Sequence, residues 1–139
     1  LIENIESATR SALLEKALDA LAFSRHFVPN TQAKTNDEPP KWDYKERYKL
    51  VGSCFPDLGY YVSSLEPLAA ENPDKWTTGL GDAIDDLADI AGDLHKVRWY
   101  LENGHPEDAA WTFNFLYRAH WGEHLRELQL YLRNLAGSD

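Results

Sequence analysis

Several residue types that mark well-known classes of protein are scarce in this chain of 139 residues, or missing from it. It has no Met and a single cysteine, Cys54, so an internal disulfide and a cysteine-rich zinc site are both excluded. No apolar run approaches the length of a membrane span, and Glu3 and Glu6 stand where a secretory signal would be basic. We therefore expect a soluble cytoplasmic protein. The absence of Met indicates a trimmed N-terminus or a piece of a longer chain.

Positive charge is also in short supply. The chain has 14 Lys and Arg against 23 Asp and Glu, which gives a net charge of −9. This charge repels phosphate backbones and anionic lipids, so we expect neither nucleic acid nor a membrane as a partner. Residues 51–100 hold nine acids and three bases. Such an acidic middle suits a basic protein surface or a metal cation, although an acidic face that only contacts solvent is the simpler interpretation.

Apolar residues make up 43% of the chain, which is enough to build one hydrophobic core in a domain of this length. They recur at the steps of three and four that are typical of amphipathic helices. Asp43 and Glu46 form a capping box, which predicts that a helix begins there and ends before Pro56. Helices are predicted from about Ile2 to His26, from Tyr44 to Phe55, from Ile84 to Leu101 and from Pro106 to about Leu135.

The segments between these helices contain most of the prolines. Residues 28–41 include three of them, so a flexible surface loop is predicted at 28–41. Pro56 can begin another short helix, which Pro67 interrupts, and no alternation typical of a strand is evident. We therefore predict an all-α fold, an up-and-down bundle of four to five helices, with residues 1–139 as a single domain.

The last predicted helix is apolar on two sides. Gly122 in its middle costs about 1 kcal/mol relative to Ala, so we expect another backbone or a bulky ring, such as that of Trp99 or Trp111, to approach it closely. The two apolar faces are either buried within the monomer, which we favour, or half covered by a second copy in a homodimer. One face holds Trp121, Leu125, Leu128 and Leu132, and the other holds Trp111, Phe115 and Ala119.

Four aspartates share one face of the third long helix, because Asp82, Asp86, Asp89 and Asp93 are spaced by three and four residues. Carboxylates are the ligands that hard cations prefer, so Asp86, Asp89 and Asp93 are candidate ligands of Mg²⁺ or Mn²⁺. The favoured alternative is that no cofactor is bound. In that case Asp82, Asp85 and Asp86 lie near the helix N-terminus, where negative charge is favourable. Asp89 and Asp93 then pair with Lys or Arg, of which Lys96 is one candidate.

The segment from His120 to His124 contains the letters of the H-x-x-E-H metalloprotease motif. A zinc protease needs a further ligand and a substrate cleft, and the sequence indicates neither. His124 lies closer to the apolar stripe than His120 does. We therefore favour a hydrogen-bonded core histidine over a metal ligand at His124.

Two segments carry a family resemblance: DDLADI at 85–90 with DL at 93–94, and HWG at 120–122 with HL at 124–125. The chain resembles a bacterial family catalogued as domain of unknown function 5063, most clearly from Ile84 to Leu132. The resemblance implies a helical, cytoplasmic bacterial protein and no particular reaction. It also weakens the protease interpretation, since Glu123 falls at the variable position of W-G-x-H. The candidate polar cluster that it favours comprises Asp86, Asp89, Asp93 and His124, with Trp121 beside them.

The acidic helix is also similar to half of the all-α nucleotide pyrophosphohydrolases, whose metal site combines an E-x-x-E helix with an E-x-x-D helix. Asp86 and Asp89 match the second pair, but Glu66 and Glu71 are five residues apart around Pro67 and do not match the first.

Three functional hypotheses remain. We favour a non-enzymatic protein-interaction or regulatory module, because clustered acids and an excess of Tyr and Trp suit binding to a basic partner. The alternative is a metal-dependent nucleotide hydrolase in which Asp86, Asp89 and Asp93 hold the ion. In the third hypothesis, the aspartates and His124 form a polar network that only fixes the packing of the helices.

Overall fold

A computed structural model describes residues 2–138 of the chain, and their side chains from residue 6 onward. Short 3₁₀ turns follow the first helix and precede the second strand, and a π turn lies at Tyr117–Trp121. Within the described part of the chain, no helix is long and apolar enough to cross a membrane. The helices and strands are α1 (Ile2–Ser24), α2 (Tyr44–Cys54), β1 (Tyr60–Ser64), β2 (Thr78–Asp82), α3 (Ala83–Glu102), α4 (Pro106–Leu116) and α5 (Gly122–Ala136).

The helices begin and end close to where the sequence predicts. The Asp43 carboxylate accepts a hydrogen bond of 3.0 Å from the Glu46 amide and so caps α2. Asp82 does the same for α3, where it accepts from the amide of Ile84 at 2.9 Å. Gly104 follows α3 with φ +79°, a conformation that favours glycine, and so helps to end it.

The five helices form the predicted bundle, with α3 packed against α2, α4 and α5, and α1 packed against α5. The side chains of Trp121, Leu125 and Leu128 are fully buried at its centre. One apolar face of the last helix is therefore covered within the monomer, and burial of this kind is the main source of stability in a domain of this size. Whether the chain also forms a homodimer stays a prediction.

The prediction of an all-α fold is wrong, because β1 and β2 pair in an antiparallel hairpin with Tyr60 opposite Asp82 and Ser64 opposite Thr78. β1 replaces the short helix that was predicted after Pro56. Its residues are mainly aromatic, β-branched and small, which suits a strand. Glycines in β2 allow close packing, since a Cβ atom at Gly81 would lie 2.2 Å from the Tyr61 ring.

The last predicted helix is divided by the π turn into α4 and α5. The amide of Gly122 donates to the carbonyl of Tyr117, five residues earlier, so one extra residue is accommodated in this turn. A Cβ atom at Gly122 would lie 2.2 Å from that carbonyl oxygen and 2.9 Å from the Tyr117 ring. The ring close to Gly122 is therefore that of Tyr117, and the expectation of Trp99 or Trp111 is wrong.

Residues 28–43 have no regular secondary structure, as predicted for a loop. The first part of the loop contacts α4, and its later residues contact α3. The amides of Lys34 and Thr35 donate to one oxygen of Asp108 at 2.8 and 3.0 Å. Burial would raise the pKa of Asp108, but these hydrogen bonds outweigh it and the pKa lies below its usual value. Asn114 also donates to the carbonyl of Pro29 at 3.1 Å. Flexibility of the loop stays a prediction.

Candidate functional site

The aspartates of α3 face the interior of the bundle. Asp86 and Asp93 are each only 4% exposed, and the Asp89 side chain is 16% exposed. Opposite them lie His120 in the π turn and His124 in the first turn of α5. Because buried carboxylates are stable only when they are paired, the contacts of each oxygen atom decide what this cluster can do.

Aspartates and histidines alternate across the seam between α3 and α5, in an arrangement that we call the Asp–His ladder: Asp86, His124, Asp89, His120 and Asp93. His124 Nδ1 lies 2.7 Å from Asp86 Oδ1, and His120 Nδ1 lies 2.7 Å from Asp93 Oδ2. An ionised carboxylate can only accept, so each Nδ1 carries the hydrogen and donates it.

The other nitrogen of each imidazole is directed at Asp89. Its Oδ2 atom lies 3.2 Å from His124 Nε2 and 3.5 Å from His120 Nε2. Unlike the Nδ1 contacts, these two lack hydrogen-bond geometry. The two rings are 4.9 Å apart and nearly perpendicular. The ladder thus brings two imidazole nitrogens and one carboxylate oxygen together within 4.8 Å of one another.

Each aspartate uses its second oxygen for a different partner. Tyr61 donates its hydroxyl to Asp86 Oδ2. Burial, reinforced by this bond, raises the pKa of Tyr61, so the phenol stays protonated and remains a donor. Lys96 Nζ lies 3.6 Å from Asp93 Oδ1. The carboxylates are therefore held from two sides, which fixes their orientation.

The second oxygen of Asp89, Oδ1, contacts Arg47, whose Nη2 lies 3.5 Å away. Arg47 also donates to the carbonyls of Ala88 at 2.7 Å and Trp42 at 2.8 Å. This guanidinium can lie against α3 only because residue 92 is glycine: a Cβ atom there would be 2.8 Å from Arg47 Cζ. Because Arg47 contacts Oδ1, Oδ2 is the Asp89 oxygen that remains available to a group between the two imidazoles.

Positive groups balance much of the ladder's charge. The hydrogen bond to Asp86 raises the pKa of His124, and this effect outweighs burial, which would lower it. In the absence of a metal, a protonated His124 together with Arg47 and Lys96 offsets the carboxylates. The pairing expected between the aspartates and basic side chains is thus present, and it is compatible with a structural network.

The structure brings Asp86, Asp89, Asp93 and His124 together, as the sequence predicts. Trp121 is not part of this cluster, because it is fully buried and its Nε1 donates to the carbonyl of Phe113 at 3.2 Å. His120 belongs to the cluster but is missing from the set predicted from the sequence. Its spacing of four from His124 was the available signal, since this spacing places two imidazoles on one side of a helix.

The acidic residues of two other motifs lie outside the ladder. Glu123, the acid of the H-x-x-E-H text, is exposed, so it cannot act on a group held between the imidazoles. Glu66 and Glu71, considered as a first pair of a pyrophosphohydrolase site, are exposed in the loop that joins β1 to β2. Neither motif is therefore completed by the fold.

The geometry at Asp89 fits a small metal ion. A tetrahedral ion with bonds of about 2.0–2.1 Å holds its ligand atoms roughly 3.3 Å apart. The distances from Asp89 Oδ2 to the two Nε2 atoms, 3.2 and 3.5 Å, are close to this separation. Asp85, Asp86 and His124 form a second group with suitable atoms. In that group, however, the nitrogen facing Asp86 already donates a hydrogen bond.

A comparison with solved structures supports the fold. The chain is similar to protein BF1032 from Bacteroides fragilis, with a TM-score of 0.68 and 17% sequence identity. The similarity covers 96% of this chain and 79% of that protein's chain. At this identity it establishes a shared fold only. No curated protein matches the chain significantly.

Sequence comparison identifies the family. The family model described as Domain of unknown function (DUF5063) matches residues 7–136, which include every helix after the first turns of α1, both strands and the whole ladder. The resemblance inferred from DDLADI and HWG is thereby confirmed. The chain belongs to the DUF5063 family.

Proposed function

We propose that the chain is a metal-binding protein in which Asp89, His120 and His124 hold one divalent transition-metal ion. The observation that carries this proposal is that the two nitrogens of each imidazole face different carboxylates. Nδ1 donates to a separate carboxylate, Asp86 or Asp93, and Nε2 is turned towards Asp89. Metal-ligating histidines typically donate their other nitrogen to a carboxylate in this way, which fixes the ring and makes it more basic.

The ligand set also selects the metal. Asp86, Asp89 and Asp93 were the candidate ligands for Mg²⁺ or Mn²⁺, but only Asp89 has an oxygen directed at both imidazoles. Two imidazoles and one carboxylate suit Zn²⁺, Fe²⁺, Co²⁺ or Mn²⁺ better than Mg²⁺, which prefers oxygen ligands. In this proposal Asp86 and Asp93 orient the histidines instead of binding the ion.

Three protein ligands would leave at least one position on the ion for water or a substrate. Catalytic zinc sites share this property, and the ion lowers the pKa of the bound water. A metal-dependent hydrolase is therefore a possible activity of the site. Specific hydrolysis of nucleotides has less support, because Glu66 and Glu71 are exposed in the hairpin loop.

The direct test is calorimetric titration of chelator-treated protein with Zn²⁺, Co²⁺, Mn²⁺ and Mg²⁺. One equivalent of Zn²⁺ or Co²⁺ is expected to bind, and at a hundredfold its Kd it stabilises the fold by about 2.7 kcal/mol. Visible absorption of the Co²⁺ complex reports tetrahedral coordination. The matched variants are His120→Gln, which removes a proposed ligand, and His26→Gln, which changes an exposed histidine outside the ladder.

The proposal requires that His120→Gln weakens Zn²⁺ binding strongly and that His26→Gln leaves it unchanged. Equal affinities in the two variants would mean that the metal binds elsewhere. If no transition metal bound to the unaltered protein, the ladder would be a structural network of ion pairs.

A second candidate function, binding to a basic protein partner, is supported by the hairpin. Tyr60, Val62 and Leu80 on its outward face are 66%, 73% and 75% exposed, although exposed apolar groups of this size are usually covered when they cluster. The loop at 65–77 adds three exposed acids and a single base. The acidic ladder faces inward, so this loop and face are the surface that suits a partner with an apolar centre and a basic rim.

This second candidate is tested by photo-crosslinking from position 62, with a probe at exposed Leu130 on α5 as the matched control. Adducts with a basic protein are expected from position 62 only, and they should decrease at high salt. Solution mass separates this outcome from a homodimer. Equal adduct yields from both positions would contradict a specific surface on the hairpin.

A further inference from the structure

A groove lies beside the ladder, between residues 38–44 and the helices α3 and α4. Its volume is about 870 Å³, within the range of small-molecule sites. His120 and Asp93 line one part of it, so the groove and the ladder share a wall. We propose that this groove binds a small organic anion that contains a planar aromatic ring. The proposal rests on the proposed function in one respect: a metal at His120 would strengthen the attraction for the anionic group.

The walls of the groove favour a planar ring. Trp111 and Phe115 are stacked almost parallel, with ring centroids 4.8 Å apart and an angle of 6°. Trp42 and His95 form a second aromatic pair with centroids 5.2 Å apart. Phe115 is 43% exposed, although a phenyl ring of this kind is normally buried. A planar ligand could stack on these surfaces and cover them.

The charges of the groove favour an anion. Two of its acids are already engaged, since Asp93 contacts His120 and Lys96, and Asp43 caps α2. Lys96 is half exposed. Lys41 forms no ion pair with any residue from 6 to 138, so its charge remains available to an anion, and Glu38 is the one acid of the wall that is not already engaged.

One side chain connects the groove to the proposed metal ligand. Arg47 lines the groove, donates to the Trp42 carbonyl and contacts Asp89. The aromatic wall at Trp42 and the orientation of Asp89 are therefore fixed by the same guanidinium. A ligand that contacts Trp42 is therefore connected to Asp89 through Arg47, although Asp89 and His124 do not line the groove.

The test uses 2-naphthoate as a probe, titrated into metal-free and Zn²⁺-loaded protein while tryptophan fluorescence and heat are recorded. Cyclohexanecarboxylate supplies the charge without the planar ring, and 2-naphthalenemethanol supplies the ring without the charge. The variants are Phe115→Leu and Lys96→Gln, and the matched control is Phe27→Leu, which changes a phenylalanine that is exposed on another part of the fold.

We expect 2-naphthoate to bind more tightly than either analogue, and more tightly to Zn²⁺-loaded than to metal-free protein. Phe115→Leu should weaken it about tenfold, which is the upper range for one aromatic pair. Lys96→Gln should also weaken it, because a positive charge is removed, while Phe27→Leu has no effect. Equal binding of the three compounds, or no effect of Phe115→Leu, would overturn the proposal. Zn²⁺ binding without naphthoate binding would also overturn it and leave the metal site intact. Naphthoate binding with these preferences but without Zn²⁺ binding would support the groove and refute the proposed metal site.

Discussion

The Asp–His ladder and the hairpin depart from the usual distribution of polar and apolar groups in opposite directions. The ladder places carboxylates inside the bundle, where Asp86 and Asp93 are 4% exposed. The hairpin places Val62 and Leu80 outside, where they are 73% and 75% exposed. Asp86 and Asp93 have partners on both oxygens, and Asp89 Oδ2 faces the two imidazoles, whereas the outward face of the hairpin is uncovered in the described chain. The polar groups of the ladder thus find their partners within the chain or in one metal ion. The apolar face of the hairpin can be covered only by another molecule.

The largest effect on this comparison is expected from His124→Leu. The substitution leaves the buried Asp86 carboxylate with Tyr61 as its remaining partner, and breaking a buried pair typically costs 3 kcal/mol or more. Since the His124 side chain is 23% exposed, so that water can reach part of the site, we expect a loss of about 2–3 kcal/mol. Urea unfolding measures it.

His26→Leu is the matched control, because His26 is exposed and lies outside the ladder. A loss for His124→Leu no larger than that of this control would mean that water replaces the histidine without cost. The ladder would then not differ from an ordinary solvated surface, and the comparison with the hairpin would fail.

An intermediate effect is expected from Gly122→Ala. Alanine is the better helix former by about 1 kcal/mol, but its Cβ atom would lie 2.2 Å from the Tyr117 carbonyl oxygen, so the π turn has to rearrange. We expect a net destabilisation of about 1–3 kcal/mol, in the range for overpacking. Because His120 lies within this turn, Zn²⁺ affinity should fall as well. Thermal unfolding and calorimetry measure the two effects.

Gly52→Ala in α2 is the control for this substitution. A Cβ atom there meets the nearest side-chain atom at an ordinary 3.6 Å, so alanine is expected to be neutral or stabilising by up to about 1 kcal/mol. If both substitutions stabilised the protein, the π turn would not depend on glycine, and its role in placing His120 would be refuted.

Gly122 and β1 illustrate how far the sequence predicts this structure. Helix boundaries follow from local chemistry, so Asp43 and Pro106 mark them correctly. The aspartate face follows from helical spacing. The sequence also signals a close contact at Gly122, but a regular helix was assumed there. The π turn accommodates an extra residue and so changes the angular positions on either side, which made it difficult to place His120 opposite Asp89.

The hairpin was missed for a different physical reason. A strand is predicted from alternating apolar and polar residues, and this alternation requires one face to be solvated and polar. In β1 the outward residues include Tyr60 and Val62, so the alternation is absent. The pairing partner, β2, is contributed by a glycine-rich segment beyond residues 65–77, and local patterns do not specify such a distant pairing.

The smallest effect on stability, and the sharpest form of the comparison, is expected from the double substitution of Val62→Thr and Leu80→Thr. Threonine has the β-branched shape that suits a strand, and both positions are largely exposed, so the free energy of unfolding should change by less than about 0.5 kcal/mol. Crosslinking to a basic partner, here from a probe at exposed position 60 on the same face, should nevertheless be lost, because the apolar centre of the surface is removed. A loss of stability above about 1 kcal/mol would instead mean that this face is packed within the chain in solution. The hairpin would then be an internal element like the ladder, and it would need no partner.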